Sequence, residues 1–399
     1  MKNSTLMLVL LLIFGVFVLV GCQKPERLKY VPITVEPDYA RPLPPGELAL
    51  RKINDPRRMP DFTTACMDLS GLDAAVGYSL AYLSKPSSRR YFPYGNITHE
   101  QAVKSLQAFK ELIRSGLSPA VMDGAIKQKF DVYESVGCDG YGTVLFTGYY
   151  TPILNASEKK TEQFKYPLYK TPGDLVKDNQ GEVLGRRTAS GGLEPYPPRA
   201  EIEDSAMLKG SELVWLGDEF EAYVAHVQGS AKLKMADGQM RTVGYAASNG
   251  REYKSVGQEL VKDGLLSSKG LSLQAMIDFF KNNPYMVNKY ICRNPRFIFF
   301  EYGGDDVRGS LNVPVTAMRT IATDKSVYPR ACIGFITPQQ KSRSAASALD
   351  FTGFVLDQDT GGAIRAPGRC DIYMGTGYHA GSLAGRTYEE GRIYYLFLK

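Results

Sequence analysis

Between Phe354 and Gly377 the chain alternates two short apolar runs with a connection that a regular helix cannot cross. Phe354-Val-Leu356 and Ile372-Tyr373 are strand-sized, and Gly361, Gly362, Pro367 and Gly368 break the interval between them. The segment is therefore read as two short strands around an irregular connection. It also carries three carboxylates, Asp357, Asp359 and Asp371, and the strand reading puts Asp359 and Asp371 at adjoining strand edges. Neighbouring carboxyls in a partly dry cleft raise one another's pKa, so that one keeps its proton near neutral pH and can act as a general acid. Acid/base chemistry on sugars uses such pairs. A plainer reading competes, because Asp beside Gly commonly caps backbone amides in turns. A calcium loop would need a regular spacing of oxygen ligands that the segment lacks.

At the other end, residues 1–21 read as an export signal, with Lys2 as its positive start and an uncharged stretch from Leu6 to Val20. That stretch is shorter than the roughly 20 residues of a spanning helix. It closes on Leu19-Val-Gly-Cys22, which resembles the lipobox of bacterial lipoproteins and implies cleavage before Cys22 and acylation of that cysteine. Gln23 in the next position is the residue type that this sorting pattern associates with the outer membrane, facing the periplasm. An uncleaved N-terminal anchor is the alternative. The proline-rich residues 22–50 then read as an extended tether. No later segment has a long charge-free apolar run, so the rest reads as a soluble body held at a membrane by its lipid.

The composition narrows the chemistry. With 44% hydrophobic residues, a chain of 399 can build two or three cored domains. Five cysteines follow Cys22, namely Cys66, Cys138, Cys292, Cys332 and Cys370, an odd number that leaves room for one disulfide or two and shows no metal-type spacing. Cys370 reads as a buried packing residue. The three histidines, His99, His226 and His379, are scattered, which argues against zinc catalysis and against Ser-His-Asp or Cys-His hydrolysis. No metal site and no cofactor are expected. The net charge of +6 is spread without a basic block, which fits a polyanionic substrate or an anionic surface and does not single out nucleic acid.

Along the chain, residues 69–84 and His99 to Ile126 carry helical spacing, with Thr98 as an N-cap. From Tyr133 the pattern turns to strands. Thr147-Gly-Tyr-Tyr-Thr-Pro152 offers Gly148 for close approach of a ligand and tyrosine faces of the kind that grip sugar rings. Ala222 to Ser230 reads as a strand, Asp237-Gly238 as a hairpin turn, Ser255–Gly264 and Leu271–Asn282 as helices, and Arg296 to Phe300 as a strand. Domain joints are expected near Thr151 and Gly303.

Taken in order, Phe146-Thr-Gly-Tyr-Tyr-Thr-Pro152, Tyr196-Pro-Pro-Arg-Ala-Glu201, Val227-Gln-Gly-Ser230, Gly244-Tyr-Ala-Ala-Ser-Asn-Gly250 and Tyr253-Lys-Ser-Val-Gly257 resemble the membrane-bound lytic murein transglycosylase A family. The C-terminal region is similar to the 3D domain, whose three aspartates fall on Asp324, Asp359 and Asp371, leaving Asp357 as an extra carboxylate. The resemblance implies a mainly β protein with some α, a double-psi β-barrel built from residues 51–151 and 304–399. It also implies a smaller β-domain inserted over 152–303 and a glycan groove between the two. Two departures are Lys325, where the family often has Pro, and Cys370, where larger or apolar residues are common.

By the same resemblance Asp371 is the essential acid and Asp359 its close partner. Thr147, Gly148, Tyr149, Gln228, Ser230 and Asp324 are the expected substrate-contacting residues, with Asp324 the one most suited to ordering a turn. The implied reaction is lytic: the β-1,4 bond between N-acetylmuramic acid and N-acetylglucosamine in peptidoglycan breaks as the sugar's own C6 hydroxyl attacks, leaving a 1,6-anhydro end. A glycan hydrolase using both carboxylates, or a non-catalytic peptidoglycan-binding lipoprotein, would share the same groove. No surface in the sequence specifies a protein partner.

Overall fold

The computed structural model describes residues 37–179, 181–268, 271–338 and 351–399. The expected signal peptide, Cys22 and the tether up to residue 36 lie outside the described residues.

Six strands close into a double-psi β-barrel. Round the wall they run Val144–Thr151, Tyr388–Leu398, Ile333–Pro338, Gly353–Asp359, Thr320–Ala322 and Arg369–Thr376, and the last pairs back to the first. Two pairings are parallel, Thr320–Ala322 with Gly353–Asp359 and Arg369–Thr376 with Val144–Thr151; the other four are antiparallel. Closure leaves no edge within the ring, and two further strands, Phe130–Ser135 and Leu50–Lys52, extend from the outer flank of the C-terminal strand. Period-two alternation sends Phe146, Cys370, Ile372, Phe354, Leu356 and Phe335 into the core. The two apolar runs that flank the Asp-rich segment are thus both barrel strands. They do not pair with each other, because the three-residue strand Thr320–Ala322 lies between them.

Helices Leu72–Leu83, His99–Arg114 and Pro119–Lys129 pack against this wall. Thr98 caps the second of them, accepting from the Gln101 amide at 3.1 Å, while Ala102, Leu106, Phe109 and Leu112 form its buried stripe. The long helical stretch expected up to Ile126 is two helices, and Pro119 at the first turn of the second explains the break. Arg319, nearly fully buried, bonds the Ser70 carbonyl at 2.9 Å and the Asp68 carboxylate at 2.7 Å, tying this helical layer to the barrel.

After Thr151 the chain leaves the barrel and builds a six-stranded sheet in the order Ile298–Tyr302, Met240–Ser248, Ser230–Met235, Ile153–Ser157, Glu212–Leu216, Tyr166–Tyr169. Its two outer strands touch, so the sheet curls on itself. A small sheet of Leu175–Lys177, Val183–Arg187 and Leu193–Glu194 joins it. The family-like motifs are its pins. Arg199 is buried, with its guanidinium 4.8 Å from the centre of the Phe297 ring, and Asn249 bonds the carbonyls of Pro197 and Pro295 at 2.8 Å each.

One expectation for this region is overturned: Ala222 to Gln228 is part of a helix, Glu219–Gln228, and only Ser230 begins a strand. Asp218 caps it by accepting from the Glu221 amide at 2.8 Å, and Gly229 ends it at φ +74°. The segment is apolar on more than one face because it is buried against both the sheet and the neighbouring helices, which hides its helical period.

Lys325, one of the departures from the family pattern, and the extra carboxylate Asp357 meet inside the barrel. Lys325 donates to the Asp357 carboxylate, and both are almost fully buried. Asp357 also accepts from Thr323 Oγ1 at 2.8 Å and Tyr395 Oη at 2.7 Å. A buried charge stripped of its partner is costly, so Lys325→Met should lose about 3–5 kcal/mol of stability, and adding Asp357→Asn should recover most of it. Urea unfolding of the two variants reads both effects.

Candidate functional site

The site is built on one row of paired residues. Ala322 pairs with Asp371, Asp371 with Thr147, and Thr147 with Tyr388, so these four side chains stand on the same outer face of the wall. Thr147 Oγ1 donates to Asp371 Oδ1. One row along, Tyr373 pairs with Tyr149, their ring centres 5.2 Å apart. On the other side, Arg369 sits two residues before Asp371 and therefore on the same face. Its Nη2 lies 3.3 Å from Thr147 Oγ1 and 3.8 Å from Asp371 Oδ1.

Asp359 reaches this face through a β-bulge. Ile321 pairs with Asp357 and Ala322 with Asp359, which leaves Gln358 as an extra residue. Gln358 turns into the protein, donating to the Ala75 carbonyl at 2.7 Å and accepting from Thr320 Oγ1 at 2.7 Å. Asp357 then points into the barrel while Asp359 points out toward Tyr149, whose hydroxyl donates to it at 2.8 Å. Asp359 also accepts from the amides of Ser310 at 2.7 Å and Thr360 at 2.8 Å.

Burial pushes both carboxyls above their ordinary range. For Asp359 the three hydrogen bonds work against that rise. For Asp371 the Asp359 charge adds to it, while Arg369 and the Thr147 hydroxyl oppose it. Asp359, held by two fixed amides, is the better seat for a negative charge, and that charge favours the protonated form of Asp371.

The inserted domain closes over this wall. The Gln228 side chain accepts from the Tyr150 amide at 3.1 Å, and Ser230 Oγ lies 3.4 Å from Thr151 Oγ1, which is 3.0 Å from Tyr373 Oη. Tyr253 of the insert is raised by burial first, and it senses the charges of Asp371 and Arg369.

The expected site residues thus divide. Asp371, Asp359, Thr147 and Tyr149 share the groove, with Gln228 and Ser230 at the seam between the domains. Gly148 packs closely: a Cβ there would stand 2.7 Å from Ala384 Cα of helix Tyr378–Arg386, so the absent side chain lets that helix approach. Asp324 is buried, accepting from Ser326 N at 2.9 Å and Ala366 N at 2.8 Å; it orders the turns behind the site and does not face a substrate. Tyr388, Arg369, Tyr253 and the Ser310 amide were missed. Arg369 carried a usable signal in its spacing from Asp371, whereas Tyr388, 66% exposed beside Thr147, becomes visible only through strand pairing.

His226 is buried and held neutral well below its ordinary range, chiefly by burial, and accepts from the Ile298 amide at 3.1 Å. His379 lies on the surface. The five cysteines within the described residues are free thiols, and Cys370 is a core residue. Among the described residues no cluster of three or more His, Cys, Asp or Glu is gathered as for a metal ion.

Comparison with known proteins places this architecture. A family model for the MltA specific insert domain matches residues 145–301, and one for the 3D domain matches 319–397. Membrane-bound lytic murein transglycosylase A of Vibrio cholerae is 30% identical over 268 residues, 66% of this chain and 68% of its own. The enzyme of the same name from Escherichia coli K12 is 29% identical over 278 residues, 67% of this chain and 69% of its own. A membrane-bound lytic murein transglycosylase from Agrobacterium tumefaciens superposes with a TM-score of 0.73 at 25% identity, covering 88% of this chain and 98% of that one. The structure of E. coli MltA with bound chitohexaose gives 0.65 at 24% identity, over 90% and 96%. The chain belongs to the membrane-bound lytic murein transglycosylase A family.

A buried carboxyl with a raised pKa binds protons more tightly in the folded state, so stability falls as pH climbs from the ordinary Asp range through that raised value. Asp371→Asn removes the ionisation. It should melt higher than the parent at pH 7, and the gap should close as pH falls below the ordinary Asp pKa; thermal melts across pH measure this.

Proposed function

We propose that the chain is a peptidoglycan lytic transglycosylase in which Asp371 is the sole acid/base. The observation that carries this reading is the position of Asp371 on the groove wall, with its pKa raised by burial and by Asp359. Asp371 protonates the glycosidic oxygen between N-acetylmuramic acid and N-acetylglucosamine as the bond breaks, then takes the proton of the C6 hydroxyl as that oxygen closes on C1. An intramolecular hydroxyl held in place outruns water through its effective molarity, and the product is a 1,6-anhydromuramic end. Asp359 supports the proton on Asp371 and stabilises the positive charge that develops on the sugar ring.

Thr147 aims the Asp371 carboxyl, and Tyr149 fixes Asp359. Tyr388 offers a flat face to a sugar ring beside them, and Gln228 and Ser230 line the seam where the glycan would lie. The binding of chitohexaose by an E. coli relative of the same fold supports a glycan in this groove. A lipid on Cys22 and a tether ahead of the strand Leu50–Lys52, whose preceding residue Ala49 is already buried in the core, would hold the enzyme at the outer membrane facing the periplasm. The name "membrane-bound" of the curated relatives agrees with that, and no helix among the described residues is long and apolar enough to cross a membrane.

Asp371→Asn should leave a folded protein whose turnover of purified murein drops by at least about a thousandfold, the loss of a general acid and of the charge it develops. Mass spectrometry of the parent's digest should show ends one water lighter than reducing sugars. Reducing ends would assign a hydrolase, and substantial turnover by Asp371→Asn would remove Asp371 from the mechanism.

A further inference from the structure

Arg369 is poorly accounted for by the chemistry above. A guanidinium beside a general acid favours the acid's ionised form, which is the wrong form for protonating a leaving group. Nor is it a well-made ion pair: the nearest approach to Asp371 is 3.8 Å, through a single nitrogen. Its Nη2 bonds Thr147 Oγ1, while its Nε is buried and has no hydrogen-bond partner within the described structure. A guanidinium carries five donors in a planar fork, and a buried donor left unmet costs free energy that a ligand acceptor can restore. Part of the side chain, 24%, remains open at the groove.

We propose that Arg369 is a specificity residue that binds the lactyl group of the muramyl sugar at the cleavage point. This rests on the transglycosylase reading and names which part of the substrate the site reads. The lactyl group hangs from O3 of the same ring whose C1 is attacked, and it ends in a planar acceptor that suits the guanidinium fork. Where the peptide stem has been removed the acceptor is a carboxylate; where the stem is attached it is an amide carbonyl. A glycan of N-acetylglucosamine alone has neither. Capture of the lactyl group draws Arg369 off Asp371 and Thr147, so the acid is released from its cation only when a muramyl ring is in place.

Binding is measured by titration calorimetry with Asp371→Asn, which stops turnover, and with Asp371→Asn carrying Arg369→Met or Arg369→Lys. Three soluble tetrasaccharides are compared: peptide-free N-acetylglucosaminyl-muramyl, the same with stems attached, and chitotetraose. The peptide-free sugar should bind at least about tenfold tighter than chitotetraose, with the stem-bearing sugar between them. Arg369→Met should erase that ordering without changing chitotetraose binding, and Arg369→Lys should restore part of it. Equal affinity for the three sugars in the parent would overturn the proposal, as would an equal loss on all three in Arg369→Met.

A kinetic arm uses enzymes with Asp371 intact on murein strands. In the wild type the alkaline limb of kcat should lie at higher pH than that of kcat/KM, because the complex has lost the cation that held the acid down. In Arg369→Met the two limbs should coincide, and limbs that stay apart would also overturn the proposal. The transglycosylase reading is judged separately by the product masses, which do not depend on Arg369.

Discussion

Along a regular strand Asp357 and Asp359 would share a face, because side chains two residues apart point the same way. The bulge at Gln358 breaks that rule. It lets one strand send Asp357 to a lysine inside the barrel and Asp359 to a tyrosine on the outer wall. The opposite requirement holds on the neighbouring strand, where strict alternation must be kept. A slip of one residue there would bury Asp371 in place of Cys370 or Ile372 and would bring both of those to the groove. Closure of the ring fixes this register, since Arg369–Thr376 is paired on both sides, to Thr320–Ala322 and to Val144–Thr151. The strand bearing Thr147 and Tyr149 is also the one from which the insert departs. The acid, its neighbours and the roof of the groove are therefore positioned by the same few backbone hydrogen bonds.

What was legible in the sequence was whatever local chemistry decides. Thr98 caps its helix as its side chain and following residues indicated, and Asp237-Gly238 turns the hairpin between Ser230–Met235 and Met240–Ser248. The strands that carry Asp359 and Asp371 were readable from short apolar runs bounded by glycine and proline. The helix Glu219–Gln228 was not, because burial on several sides replaces an amphipathic stripe with a nearly uniform apolar run. The strand Thr320–Ala322 was invisible for a different reason: three residues hold no period, yet this strand separates the two carboxylates and pairs with both.

The site was legible to the same extent. Asp371 and Asp359 stood out because acid residues in a glycine-broken strand pair have few bland uses, and the family resemblance ranked them. Glycine is the hardest to read, since the same residue type serves close packing and close approach to a ligand. At Gly148 the close packing is visible only through the position of Ala384. Lys325 and Asp357 each looked anomalous alone. Thirty-one residues of intervening sequence, part of it another strand, hid the fact that each explains the other.

That pairing bears on catalysis as well as on stability. Three carboxylates lie within a short stretch of barrel wall, and if all were unpartnered each would raise the pKa of the others, leaving no defined proton inventory. The fold divides them by partner. Asp357 is matched by a lysine on the inner face, Asp359 is held by two amides and a phenol on the outer face, and Asp371 has only a hydroxyl and a distant guanidinium. The least supported of the three, Asp371, is the one whose protonated form burial and a neighbouring charge both favour. Acidity at this site is thus set first by the burial of Asp371, with the charge of Asp359 adding to it and Arg369 and the Thr147 hydroxyl opposing it.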